Sequence, residues 1–125
     1  MILDTNALSA LAAKDKDLIA RIRMSARVYT TWISVGEFKY GLLGSRKRNE
    51  LERWLEAFLK QADMLWANMA TLDNYAAIRL ELKEAGTPIP ANDCWIAALA
   101  RQHKMPVVSR DSHFDNVRGV RRRDW

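Results

Sequence analysis

The chain is predicted to be an α/β protein in which helices flank a short central parallel sheet. Three observations carry that expectation. Some apolar runs are short and end abruptly in polar residues, as in Met1-Ile2-Leu3 and Pro106-Val107-Val108-Ser109, which is how strands buried on both faces read. Other stretches place apolar residues three and four apart, as in Leu51, Trp54, Leu55, Phe58 and Leu59, the period of a helix with one buried side. The two kinds of segment alternate along the chain, and such alternation closes most readily into a parallel sheet with helical crossovers.

Taken in order, Met1-Ile2-Leu3 reads as a buried strand, stopped by Asp4-Thr5-Asn6 as a helix-capping loop. Ala7 to Ala13 and Asp15 to Ser25 read as short helices, with Leu8, Leu11, Leu18, Ile19 and Ile22 on their apolar sides. Val28 to Thr31 is rich in β-formers and gives a second strand. Ser34 and Glu37 stand at the Ser-x-x-Glu spacing of a capping box, which would start a helix at Ser34 and carry it to about Gly44. Lys47 to Lys60 is the next helix, and Asp63 to Ala67 reads as a strand. Thr71 to Ala85 is an amphipathic helix terminated by Gly86 and Pro88. Asn92 to His103 is another, followed by the strand Pro106 to Ser109 and a polar turn at Arg110-Asp111-Ser112. Val117 to Trp125 is expected to contain a last short strand around Val120.

At 125 residues, one domain over residues 1–125 is expected, and that length buries a core without staples. The single cysteine, Cys94, permits no intrachain disulfide, so the chain needs no oxidising compartment and a cytoplasmic location is expected. No apolar run approaches the roughly 18 residues of a membrane span. The first residues have neither the charged start nor the apolar core of a signal peptide. The net charge of +5 suits a polyanionic partner. The basic runs Arg46-Lys47-Arg48 and Arg118 with Arg121-Arg122-Arg123 read, each by itself, as solvated faces.

The chemistry lies in the carboxylates. In open α/β sheets ligands bind beyond the carboxyl ends of the strands. Asp4 follows the first strand, Asp111 follows the strand of Val107 and Val108, and Glu37 and Asp93 fall near helix starts. All four can face one rim. Each also has a local explanation: Asp4 as an N-cap, worth about 1 kcal/mol; Glu37 as the partner of Ser34; Asp93 as a first-turn acid favoured by the helix dipole; Asp111 as a turn residue. Gathered together, however, they repel one another, and a divalent cation removes that cost. Hard oxygen donors suit Mg²⁺ or Mn²⁺ rather than Zn²⁺, and Cys94, His103 and His113 show no zinc-ligand spacing. A carboxylate-held Mg²⁺ is well suited to phosphoryl-ester chemistry. No Ser-His-Asp arrangement competes. No Gly-rich phosphate loop does either, since Gly36, Gly41 and Gly44 fall in a helix and its end.

Four segments in order carry a family resemblance: Met1-Ile2-Leu3-Asp4-Thr5-Asn6, Ile33 to Gly41 around Glu37, Pro90 to Ala98 around Asp93, and Val107 to Phe114 around Asp111. From first residue to last the sequence resembles the PIN-domain ribonucleases, and among them the VapC toxins of type II toxin–antitoxin systems. The resemblance implies a PIN-like three-layer α/β/α fold, often dimeric, and Mg²⁺-dependent endonucleolytic cleavage of RNA, with tRNA or rRNA as target. It also implies silencing by a cognate VapB-like antitoxin. Asp4, Glu37 and Asp93 match the acidic metal-binding positions, and Asp111 matches the fourth. Thr5, Asn6 and Ser109 match small polar positions supporting them, and Asn92 matches a polar position beside the third acid. Gly36 stands where the family more often has Ala, and Cys94 and Trp95 where aliphatic residues are common.

Arg110 adjoins the acidic positions and is a candidate contact for a substrate phosphate or an acidic group of the antitoxin, the alternative being a plain surface charge. Trp54 and Trp95 lie on apolar helical sides and are expected to pack, as is Trp32 in preference to stacking on a base. Phe38, Leu42 and Leu43 extend an apolar surface that could also receive an antitoxin helix. The rival to the nuclease is a catalytically inactive PIN-like module that binds RNA or protein without cleaving. It would have no need of four carboxylates.

Overall fold

The computed structural model describes residues 1–25 and 27–125. Its sheet has five short strands: β1 (Ile2–Leu3), β2 (Tyr29–Thr31), β3 (Asp63–Leu65), β4 (Val107–Val108) and β5 (Arg122–Arg123). They lie in the order β3-β2-β1-β4-β5, and every pairing is parallel. The helices are α1 (Thr5–Ala12), α2 (Lys16–Arg23), α3 (Trp32–Leu43), α4 (Arg48–Leu59), α5 (Met69–Glu84) and α6 (Ala91–His103). A 3-10 turn, Ser112–Asn116, follows β4.

The strands dictate three layers because successive side chains point to opposite faces. Ile2 and Val107 enter one core with Ile78 and Leu82 of α5, Ile96 and Ala97 of α6, and Phe114. Their neighbours Leu3 and Val108 enter another with Ala7 of α1 and Leu18 of α2. On the far side of β2, Leu65 joins the α5–α6 core. Met64 joins a third cluster, built from Leu8, Val35, Phe38, Leu42 and Leu55 of α1, α3 and α4. Both faces of the sheet are therefore covered, and Ile2, Leu3, Val107 and Val108 are wholly buried. Each such side chain contributes on the order of 1.5–3 kcal/mol relative to exposure. Among the described residues, no helix is long and apolar enough to cross a membrane.

Two element boundaries correct the sequence reading. Helix α3 begins at Trp32, with Thr31 as its N-cap: the Thr31 hydroxyl accepts from the Ser34 backbone N–H. Ser34 is therefore inside the first turn, and its buried hydroxyl reaches the carbonyl of Leu3. The Ser34–Glu37 capping box does not form, which leaves the Glu37 carboxylate free for other partners. The last strand lies within the expected Val117 to Trp125 but is Arg122–Arg123 rather than centred on Val120. Val120 instead packs against the α5–α6 core, while the backbone of Val107 and Ser109 donates to Arg121 and Arg123.

The winding places the site. From β1 the chain moves outward to β2 and β3, then returns past β1 to β4 and β5. The direction reverses between β1 and β4, and the crevice beyond the carboxyl ends of such a pair is where open α/β sheets bind ligands. Asp4 leaves β1 and Ser109 leaves β4 at that point.

Candidate metal and catalytic site

Asp4 is the N-cap of α1, and its Oδ1 accepts from the Ala7 backbone N–H at 2.7 Å. The other carboxylate oxygen accepts from the hydroxyl of Ser109, itself wholly buried. Capping and site membership are thus performed by one side chain with two oxygens. Ser109 also accepts from the Asp111 N–H at 2.9 Å, so it ties Asp4 to the loop after β4. Arg122 of β5 holds Ser109 from behind by donating to its carbonyl at 3.2 Å, and its fork engages Asp115. Part of the basic tail is therefore structural rather than a solvated face.

Asp111 caps the 3-10 turn, accepting from the His113 N–H at 2.9 Å. The turn returns the His113 ring onto the carboxylates. Its Nδ1 lies 3.0 Å from Asp111 Oδ1 and 3.1 Å from Asp93 Oδ2. Asp93 sits in the first turn of α6. The donor atoms of Asp93, Asp111 and His113 all lie within 4.8 Å of one another, a grouping that can hold a metal ion.

Glu37 lies in the second turn of α3. Thr5, from α1, donates to one of its oxygens, and Asn92, from the start of α6, donates to the other. Three helices therefore fix this carboxylate, which neighbours the tighter Asp93–Asp111–His113 group without belonging to it.

The electrostatics show that the four acids share one neighbourhood. Burial pushes the Asp4 carboxyl up to about 6 from 3.8; the bonds from Ser109 and Ala7 oppose the shift, and the charges of Asp93 and Asp111 add to it. Asp93 is also raised, first by burial and then by Asp111 and Glu37, with His113 pulling the other way. The cost of gathering these acids falls away when a divalent cation joins them, and the donor set of carboxylate oxygens with one imidazole fits such an ion. Burial raises the Cys94 thiol, whose Sγ faces the Ile89 carbonyl.

A cleft of about 400 Å³ opens from the site between α1, α3 and α4. Thr5 and Glu37 lie in its wall, and Lys47 and Gly41 line it further along. Lys47 belongs to a basic run that the sequence alone reads as a solvated face; the α3–α4 corner brings it into the approach to the acids.

Other positions differ from expectation. His113 has no ligand spacing in the sequence, yet it stands in the cluster; the available signal was the pair Asp111-x-His113 in a polar turn. Arg110 is drawn to the C-terminal tail. Its guanidinium lies 4.5 Å from the centre of the Trp125 ring and donates to the Trp125 carbonyl, and among the described residues its ion-pair partners are Asp15 and Asp124. Asn6 is exposed on α1 and, among the described residues, makes no hydrogen bond to the carboxylates. Trp32 and Trp95 do pack as expected: Trp32 lies against Trp95, and Trp95 stacks on Tyr75 at 3.6 Å.

With this geometry the chain matches known proteins along nearly its whole length. A PIN-domain family model matches residues 1–120. Ribonuclease VapC5 of Mycobacterium tuberculosis is 28% identical over 121 residues, 95% of this chain and 88% of that protein. The tRNA(fMet)-specific endonuclease VapC of Shigella flexneri is 27% identical over 128 residues, 99% of this chain and 96% of that one. The crystal structure of DNA-bound VapBC from Salmonella typhimurium contains a similar chain with a TM-score of 0.89 and 26% identity, covering 99% of this chain and 96% of that one.

Proposed function

Because the chain belongs to the PIN-domain family, we propose that it is a metal-dependent endoribonuclease that hydrolyses RNA phosphodiesters as the toxin of a toxin–antitoxin pair. The observation that carries this reading is the meeting of Asp4, Glu37, Asp93 and Asp111 at one crevice of the sheet, each coupled electrostatically to another. Relatives named as a ribonuclease and a tRNA-specific endonuclease support it, with tRNA or rRNA as the target class. The four acids would hold a divalent cation of the hard-oxygen class, Mg²⁺ or Mn²⁺. When bound, such an ion supplies charge neutralisation and Lewis acidity at the phosphate.

The chain itself supplies positioning. Thr5 and Asn92 hold Glu37, and Ser109 with the Ala7 N–H holds Asp4, so the charges are set before substrate arrives and need no reorganisation during reaction. Lys47 in the cleft meets the phosphates of the RNA strand, a contact that weakens with salt. The inactive binding module is not favoured, since it gives no reason for four coupled carboxylates.

The partner in this reading is a VapB-like antitoxin. The groove between α3 and α4 suits an amphipathic helix: Tyr40 is 82% exposed, Leu43 is 56% exposed, and Leu55 and Leu59 form the floor. A homodimer acting in the cytoplasm, with residues 1–125 as one domain, completes the reading; exposed Trp66, Met69 and Leu72 offer an apolar face for self-association.

The test is cleavage of RNA by the purified chain with and without Mg²⁺. Asp4→Asn and Asp93→Asn are each expected to lower the rate at least about a hundredfold, the scale of losing one group that stabilises transition-state charge. Undiminished cleavage by both variants would end the assignment.

A further inference from the structure

The chain has two histidines, and one of them stands among the acids. We propose that His113 is a direct ligand of the cation, and that its imidazole makes the site select Mn²⁺ over Mg²⁺. This rests on the nuclease reading above and narrows its cofactor.

The geometry carries the first half. His113 Nδ1 is 3.0 Å from Asp111 Oδ1 and 3.1 Å from Asp93 Oδ2. Donors on adjacent corners of an octahedron with bonds of about 2.1 Å stand about 3.0 Å apart. A single proton on Nδ1 cannot make straight hydrogen bonds to two carboxylates at once, whereas one ion among the three satisfies every donor. The ring does not reach this place from a flexible arm. It is carried by the 3-10 turn, whose backbone is pinned by the His113 N–H on Asp111 and by the wholly buried Phe114. The other histidine, His103, is exposed at the opposite end of α6, about 15 Å from Asp93 along the helix axis.

Donor chemistry carries the second half. Mg²⁺ keeps its waters and prefers oxygen, whereas the divalent ions of the first transition row, Mn²⁺ the least avid of them, take an imidazole nitrogen more readily than Mg²⁺ does. An all-carboxylate site separates Mg²⁺ from Mn²⁺ weakly. Replacing one oxygen by Nδ1 favours Mn²⁺ over Mg²⁺, because Mn²⁺ accepts the nitrogen at a smaller cost.

The test uses the full chain freed of metal. Mn²⁺ and Mg²⁺ are titrated by calorimetry, and the Mn²⁺ complex is examined by pulsed electron paramagnetic resonance for nitrogen coupling. The unmodified protein should show that coupling, His103→Ala should retain it, and His113→Ala should lose it. His113→Ala should also weaken Mn²⁺ at least about tenfold, on the scale of removing a group from a metal site, while Mg²⁺ changes less. Mn²⁺ bound without nitrogen coupling, or coupling abolished by His103→Ala, overturns the ligand assignment and leaves the nuclease reading standing. Equal weakening of both ions by His113→Ala overturns the selectivity. If neither ion binds, this proposal and the nuclease reading fall together. The spectrum of the unmodified chain decides the first point whether or not the variant folds.

Discussion

Asp4 performs two jobs that pull its stability in opposite directions. As N-cap of α1 it satisfies the Ala7 N–H. As a buried acid beside Asp93 and Asp111 it is held at a pKa of about 6 rather than 3.8. Between those values the metal-free folded chain binds more protons than the unfolded chain, so Asp4 weakens folding as pH rises from about 4 to about 6, and the loss is constant above that. A displacement of that size corresponds to about 3 kcal/mol. Asp93 is raised in the same direction. Urea unfolding of metal-free wild type and Asp4→Asn across this range should therefore show the difference in stability moving against wild type by up to about 3 kcal/mol. A constant difference would mean that the Asp4 carboxyl is not strained by its surroundings. The surface acids Asp15, Glu81 and Asp115 are shifted the other way and cancel in this comparison. Asp4 and Asp93 were legible as site candidates in the sequence because they adjoin a strand end and a helix start. His113 was not, because its role depends on a turn that folds the ring back across Asp111.

At the scale of the element, α3 shows how local pattern and tertiary contact compete. Ser34 and Glu37 have capping-box spacing, but Thr31, three residues earlier at the end of β2 and in register with Leu65 of β3, captures the cap. Glu37 is then claimed from outside by Thr5 and Asn92. Gly36, inside the same helix, is not required by packing: a Cβ there would meet nothing within 4 Å among the described residues. Gly36→Ala should therefore raise stability by about 0.5–1 kcal/mol, because glycine loses more freedom on entering a helix. Thermal unfolding checks this, and a lowered midpoint would show that the turn before Glu37 needs glycine. Strand β5 is the converse case. An edge strand of two arginines is paired along one side only, so no apolar alternation marked it. The apolar Val120 nearby was recruited to the core instead.

Across the whole molecule, the site is a corner of the core. Phe114 is wholly buried against α5, α6 and the inner faces of β1 and β4, yet it lies one residue beyond His113 and three beyond Asp111. Phe114→Ala should cost about 3–5 kcal/mol in urea unfolding, a large share of the stability of about 5–15 kcal/mol ordinary for a domain. A loss below about 1 kcal/mol would mean that the turn is anchored by its hydrogen bonds rather than by this ring. The sequence by itself determined the layered α/β class, the central strands and the four acids, because burial on both faces of a strand and helical period are written in neighbouring residues. Only the tertiary structure decided that Glu37 is held by two other helices, that Lys47 lines the approach, that Arg110 turns to the tail, and that His113 joins the carboxylates. Those outcomes depend on contacts between residues far apart in the chain, at a reversal in strand order that no local pattern records.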